Sequence, residues 1–334
     1  QVAVIEEPDE AMNTGSDPHH RKPASALART VPITAAILLL AGPVLAQDSL
    51  LSPAGPVAEA QRSDLIRVTL ITMIAVVPVL VGVPVILWRY HRVRGNGCYR
   101  PGKLYRPDWE FSGPLEAAMW GVPFAIIAVL GWSLWQTTIR LDPYAPLGPD
   151  PLEVQAIGLD WKWLFLYPEQ GIATLDALVL PAGRPVRVAL TTDTVMQSFR
   201  VPALAGQIYA MPGMRTELNL MADAPGRWRG DNIQYSGRGF AGQTFSVVAL
   251  DPAGWRDWAG TPAQTPLDPA PYARLGRAGS PAQARALLGL GARDAPRLRL
   301  VTPDLFDRVI ARYRAGLPVP PRDQPGAPAY AGGG

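Results

Sequence analysis

Cysteine and histidine are almost missing from this sequence. Its 334 residues hold one cysteine, Cys98, and three histidines, His19, His20 and His91, so neither a thiol nor an imidazole occurs after Cys98. A single cysteine excludes an internal disulfide framework and every metal site built on several thiolates. Charge is scarce as well: Asp, Glu, Lys and Arg make up 18% of the chain, against about 25% in an average soluble domain. A net charge of +3 is too small to be the electrostatic footprint of a nucleic-acid partner. In place of these, 48% of residues are hydrophobic, and there are 36 prolines and 32 glycines. That much apolar bulk excludes disorder throughout, and the proline and glycine weigh against a coiled coil or an all-helical bundle. The length suggests about two folded units.

Three apolar runs differ in length. Val31 to Leu45 follows His19, His20, Arg21, Lys22 and Arg29 and ends in Val44-Leu45-Ala46, with small residues where a signal peptidase cuts. As a helix it would rise only about 22 Å against a hydrocarbon core of about 30 Å, so a cleaved signal is expected over a short anchor. Residues 1–46 are expected to be leader and signal peptide, and 47–64 an exported segment. Val68 to Trp88 and Ala117 to Ile139 carry no charge and are each long enough to span a bilayer. Pro78, Pro84 and Pro123 are tolerated there when neighbouring helices satisfy the freed carbonyls.

The basic residues concentrate between these two spans. Arg89, Arg92, Arg94, Arg100, Lys103 and Arg106 face only Asp108 and Glu110, so the loop 89–112 is expected in the cytoplasm, and the N-terminus and everything after about Asp142 outside it. Trp88, Trp120, Trp132 and Trp135 suit interfacial anchors. The hairpin is bounded at 65–141.

From Pro151 the period changes to two. Val186 to Thr191, Glu217 to Leu220 and Thr244 to Leu250 alternate between turn signals, and Leu152 to Ile157, Trp163 to Tyr167 and Asp176 to Leu180 read as further strands. Six or seven short strands in about 100 residues predict an antiparallel sandwich or barrel. A Pro/Ala-rich linker is expected after Asp251, then helices at Pro281 to Leu288 and from Asp304, and a disordered tail over 316–334.

Specific residues carry a family resemblance. Leu159-Asp160-Trp161-Lys162-Trp163-Leu164-Phe165-Leu166-Tyr167-Pro168-Glu169-Gln170-Gly171-Ile172-Ala173-Thr174 is similar to the aromatic segment that opens the cupredoxin-like domain of subunit II of the haem-copper respiratory oxidases. Gln207 to Met214, Tyr235 to Phe240 and Pro303 to Ile310 extend the similarity over about residues 60–315, the last of these toward the quinol branch. The resemblance implies a membrane protein: a two-helix hairpin, an exported all-β cupredoxin-like domain over 145–252, and a C-terminal helical extension over 253–315. It implies a bacterial inner-membrane location with periplasmic termini. The expected partners are haem-copper subunit I, further small membrane subunits and the lipid bilayer, with quinol reached through subunit I and no nucleic acid.

The copper-bearing branch of that family uses Cys and His ligands in this domain. Laid on its pattern, those positions hold Gln197, Asn232, Ser236 and Phe240, with Gln234 at the Glu and Gln243 at the Met. The resemblance therefore implies no cofactor in this chain, with haem and copper in subunit I. Met196, Met211, Met214 and Met221 are read as core filler, and Trp161 and Trp163 as core and interface aromatics. Glu116, in Pro114-Leu115-Glu116-Ala117, matches the family glutamate at the mouth of a proton channel; by itself it is also an ordinary first-turn acid. Two other readings stand beside this one: a copper-carrying subunit fed by cytochrome c, and an anchored binding module that borrows the scaffold.

Overall fold

The computed structural model describes residues 51–91, 111–290 and 296–314, all within the unit Gln47–Gly334. The expected leader (1–46), residues 92–110 of the basic loop with Cys98, and the tail (316–334) lie outside the described residues. Two long helices come first, α1 (Pro56–His91) and α2 (Gly113–Arg140). They contain Pro78, Pro84 and Pro123. Leu80, Leu87, Trp120, Phe124 and Ile127 are all exposed; such helices need lipid or another protein around them.

At 36 residues, α1 rises about 54 Å, well beyond a hydrocarbon core. It begins at Pro56, before the apolar run at Val68, and its first turns pack against the β-sandwich. Ala58 is buried and Val57 packs on the β-sandwich core. Just upstream, the Ala54 N–H donates to Ala203 O (2.8 Å) and Asp223 N–H to Ala54 O (2.9 Å). The hairpin is pinned at the same end by the Thr137 hydroxyl, which donates to Asp64 Oδ2 at 2.8 Å.

Ten strands follow: β1 (Leu152–Leu159), β2 (Lys162–Tyr167), β3 (Ile172–Leu175), β4 (Ala177–Pro181), β5 (Val186–Thr192), β6 (Gln197–Arg200), β7 (Gln207–Ala210), β8 (Thr216–Leu220), β9 (Gly226–Asp231) and β10 (Thr244–Leu250). The C-terminal part adds β11 (Thr265–Leu267) and β12 (Arg297–Leu300). They form a sheet ordered β11-β12-β3-β2-β1-β5-β8 and a second ordered β4-β10-β9-β6-β7. The expected antiparallel sandwich is mixed: most neighbours pair antiparallel, while β1–β5, β4–β10 and β11–β12 are parallel. Alternation assigns a strand's two faces and says nothing of its neighbour's direction, which the crossovers decide.

Between the sheets lies an aromatic core. Phe199 and Phe245 stack at 4.9 Å, and Trp163 meets Phe199 edge-on at 5.3 Å. Along β2, Trp163, Phe165 and Tyr167 point into this core while Leu164 and Leu166 enter a second one on the opposite face. The second core is closed by Leu267, Tyr272, Leu275, Leu298, Phe306, Val309 and Ile310 of the extension. This is why every residue of β2 is buried.

Tyr167 also satisfies an edge of β4: its hydroxyl donates to Val179 O (2.9 Å) and accepts from Val179 N–H (2.7 Å). Tyr167→Phe leaves both backbone groups buried without a partner and is expected to cost about 1–3 kcal/mol, read as a lower denaturant midpoint of the full chain in detergent. An unchanged midpoint would show that the hydroxyl contributes nothing.

The expected linker after Asp251 is instead a helix, α3 (Pro252–Gly260). Asp251 caps it by accepting from Gly254 N–H at 3.1 Å, with proline at the first helical position. Its Trp255 and Trp258 pack on Tyr167. Three more helices complete the extension: α4 (Pro269–Leu275), α5 (Pro281–Leu287) and α6 (Leu305–Arg314). The last two fall where the sequence places them. The extension is thus not purely helical, since β11 and β12 lengthen the first sheet.

Candidate functional site

The segment around Gln197 and the β9–β10 connection meet at one end of the sandwich. Gln197, Ser198, Asn232 and Gln243 are buried there, and Ser236 is half-buried. Gln243 Nε2 donates to Gln197 Oε1 at 2.7 Å, and Asn232 Nδ2 donates to Gln243 Oε1 at 2.9 Å and Ser236 Oγ at 3.2 Å. Gln197 Nε2 donates to Leu159 O (3.0 Å) and Thr194 Oγ1 (2.9 Å). Asn232 Oδ1 accepts from Ser198 N–H, Ser198 Oγ and Gln234 N–H, all between 2.9 and 3.0 Å. Of the six positions singled out in the sequence, four meet through their side chains. Gln234 enters through its backbone, and Phe240 packs edge-on against Tyr235 at 5.2 Å.

This donor set does not fit copper. Electron-transfer copper is held by thiolate and imidazole, whereas the side chains here are amides and hydroxyls already spent on one another. Among the described residues no group of three or more His, Cys, Asp or Glu is placed to hold a metal ion. Met196 and Met214 are exposed and contribute no thioether cluster. The two tryptophans part company: Trp163 is in the core, and Trp161 sits at the β1–β2 turn with φ 63°, its Nε1 donating to Ser236 O at 3.2 Å. Its ring lies so close over Gly239 that any side chain at 239 would overlap it.

The same end of the sandwich carries a cluster that sequence reasoning missed. Asp193, fully buried after β5, receives Arg312 Nη1 at 2.7 Å on both oxygens, Tyr272 Oη at 2.7 Å and Tyr313 Oη at 3.0 Å. Lys162, almost fully buried, sends its ammonium to Asp160 O and Arg277 O at 2.8 Å and to Gly279 O at 3.4 Å. Burial pulls the Lys162 ammonium down to about 8, opposed by the nearby Asp160 and Asp176 carboxylates. The three carbonyls it donates to favour the charged form, which suits an ammonium clasp between sandwich and extension. The only sequence signal was a lysine set in a strand otherwise apolar throughout.

Glu116 lies in the first turn of α2, exposed, with its backbone N–H bonded to Ser112 O at 2.9 Å. It is at the opposite end of the hairpin from the Asp64–Thr137 pin, and the amide cluster is on the β-sandwich. The structure therefore keeps the two sequence-derived sites apart.

Comparison with known proteins bears on these sites. A family model described as cytochrome c oxidase subunit II, periplasmic domain, matches residues 171–243. Cytochrome bo(3) ubiquinol oxidase subunit 2 of Pseudomonas aeruginosa is 43% identical over 212 residues, which are 63% of this chain and 62% of that protein. The Pseudomonas putida protein of the same name is 40% identical over 69% of this chain and 72% of its own length. Ubiquinol oxidase subunit 2 of Acetobacter aceti is 35% identical over 84% and 86%. The solved periplasmic domain of subunit II of cytochrome oxidase from Bradyrhizobium japonicum overlays 34% of this chain and 94% of its own, at 23% identity and a TM-score of 0.32. With two spanning-length helices ahead of a cupredoxin-like sandwich, and similarity running through most of the Acetobacter relative, the chain belongs to the subunit 2 family of the ubiquinol oxidases.

Proposed function

We propose that this chain is the non-redox subunit II of a proton-pumping quinol:oxygen terminal oxidase in the bacterial inner membrane, supporting assembly and admitting protons through Glu116. In this reading subunit I holds the haems and copper and meets the quinol, and smaller membrane subunits complete the complex. The hairpin (65–141) crosses the membrane with its basic loop (89–112) in the cytoplasm, and the β-domain (145–252), the extension (253–315) and both termini are periplasmic. The observation that carries the reading is the amide and hydroxyl cluster at Gln197, Asn232, Ser236 and Gln243. A domain without soft ligands offers a soluble cytochrome no acceptor, so electrons must arrive by a lipid-soluble donor. A tag on the full chain should copurify a haem-bearing subunit whose oxygen uptake is driven by quinol and not by reduced cytochrome c. Uptake driven by cytochrome c, or a preparation without haem, would overturn the proposal.

A further inference from the structure

Where the hairpin meets the sandwich, a cavity of about 330 Å³ lies between the start of α1, the segment that leaves α2 and strands β7 and β8, lined among others by Val57, Gln61, Arg140, Asp142, Leu147 and Leu218. Local chemistry builds its walls. Asp142 Oδ1 accepts Tyr144 N–H (2.9 Å) and Asp142 O accepts Ala145 N–H (3.0 Å), which turns the chain away from α2. Pro143 O then accepts both the backbone N–H and Nδ2 of Asn219 on β8, each at 3.0 Å, so this wall is stitched to the sheet. On the other side Gln61 follows Val57 by one helical turn, and its Nε2 lies so close over Gly206 that a side chain there would overlap it.

The cavity sits at the edge of the apolar layer. Arg140 directly follows the uncharged run that ends at Ile139, and it comes three residues after Thr137, which pins the two helices. In the turns before it, Leu134, Trp135 and Ile139 are exposed, an apolar surface on which acyl chains can lie. Two groups in the cavity carry opposite charges that the fold leaves uncompensated. Among the described residues the exposed Arg140 guanidinium has no hydrogen-bond or ion-pair partner, and Asp142, also exposed, engages only Tyr144 N–H through its side chain. A purely anionic head would meet Arg140 and be repelled by Asp142, and a bare cation would meet the reverse. A head that carries both a phosphate and a primary ammonium satisfies both, with the guanidinium fork on the phosphate oxygens and the carboxylate accepting from the ammonium.

We propose that this cavity binds the headgroup of a zwitterionic aminophospholipid, phosphatidylethanolamine by its chemistry, with the phosphate on Arg140, the ammonium on Asp142 and the acyl chains along α2. The volume is at the small end of ligand sites, which run from about 300 to 1,000 Å³, and so suits a headgroup without its chains. A choline head keeps the charge and has no N–H to give Asp142. The site rests on the hairpin crossing a membrane and not on the quinol oxidase reading, and it would fasten the sandwich at the bilayer surface.

The test is native mass spectrometry of the full-length chain purified in detergent, titrated with phosphatidylethanolamine, phosphatidylcholine and phosphatidylglycerol of matched chains. One phosphatidylethanolamine per chain is expected, held about tenfold more tightly than either of the others. Arg140→Gln should weaken it about tenfold. Asp142→Asn, which keeps an acceptor for Tyr144 N–H, should erase the preference over phosphatidylglycerol by weakening the first lipid and strengthening the second. Both side chains are exposed, so neither change touches the core. Glycerophosphoethanolamine, which lacks the chains, should compete only weakly; competition equal to that of the lipid would overturn a membrane ligand. Equal affinity for the three lipids, or a preference unchanged in both variants, would overturn the site.

Discussion

Oxygen uptake per haem is expected to fall roughly tenfold when Glu116 is replaced by glutamine, if its carboxyl passes protons toward subunit I. Glutamine keeps the size and most of the hydrogen bonding, and it lacks the titratable group. Glu116 stands in the first turn of α2, ahead of a run of 23 residues without charge. An ionisable group at such a place is expected to face protein or a water-filled cavity once partners surround the helix. A residue serving only the helix macrodipole would be worth about 0.3–1 kcal/mol, visible in assembly or melting and not in turnover. The measurement is steady-state quinol oxidation on the purified complex, normalised to haem. Glu116→Asp should recover much of the rate because it restores the titratable group. Equal turnover in wild type and Glu116→Gln would reduce the residue to a helix-start acid.

The second large effect concerns the clasp on the extension. Arg312→Ala removes the cation that faces both oxygens of Asp193 and leaves a fully buried carboxylate with two tyrosine hydroxyls. Breaking such a pair from one side costs about 3–5 kcal/mol, a large fraction of the stability of an ordinary domain. Because Arg312 and Tyr313 are on α6 and Tyr272 is on α4, the loss should appear first as release of the extension. Limited proteolysis should cut within residues 260–314 well before the sandwich, and the thermal midpoint should fall. Arg312→Lys should recover part of this, since an ammonium keeps the charge and loses the planar fork. A melting profile for Arg312→Ala indistinguishable from wild type would show that the cluster does not hold the extension.

Sequence alone determined the elements whose physics is local. Two uncharged runs of spanning length, the strand alternation after Pro151 and the Thr302-Pro303 start of α6 each follow from the chemistry of neighbouring residues. The lack of any thiol or imidazole after Cys98 excluded a thiolate–imidazole copper centre whatever the fold. The capped helix at Asp251-Pro252 was equally legible and was hidden by its proline, which looks the same at a helix start as in a linker. Only the tertiary structure decided the parallel pairings, because a strand's own pattern carries no record of its neighbour's direction. It alone showed that Leu164 and Leu166 meet the extension while Trp163 and Phe165 meet the second sheet. The partners of Asp193 and Asn232 were illegible for the same reason: Arg312 lies 119 residues from Asp193 in sequence, and such contacts are set by how layers stack around a core, which no local pattern encodes.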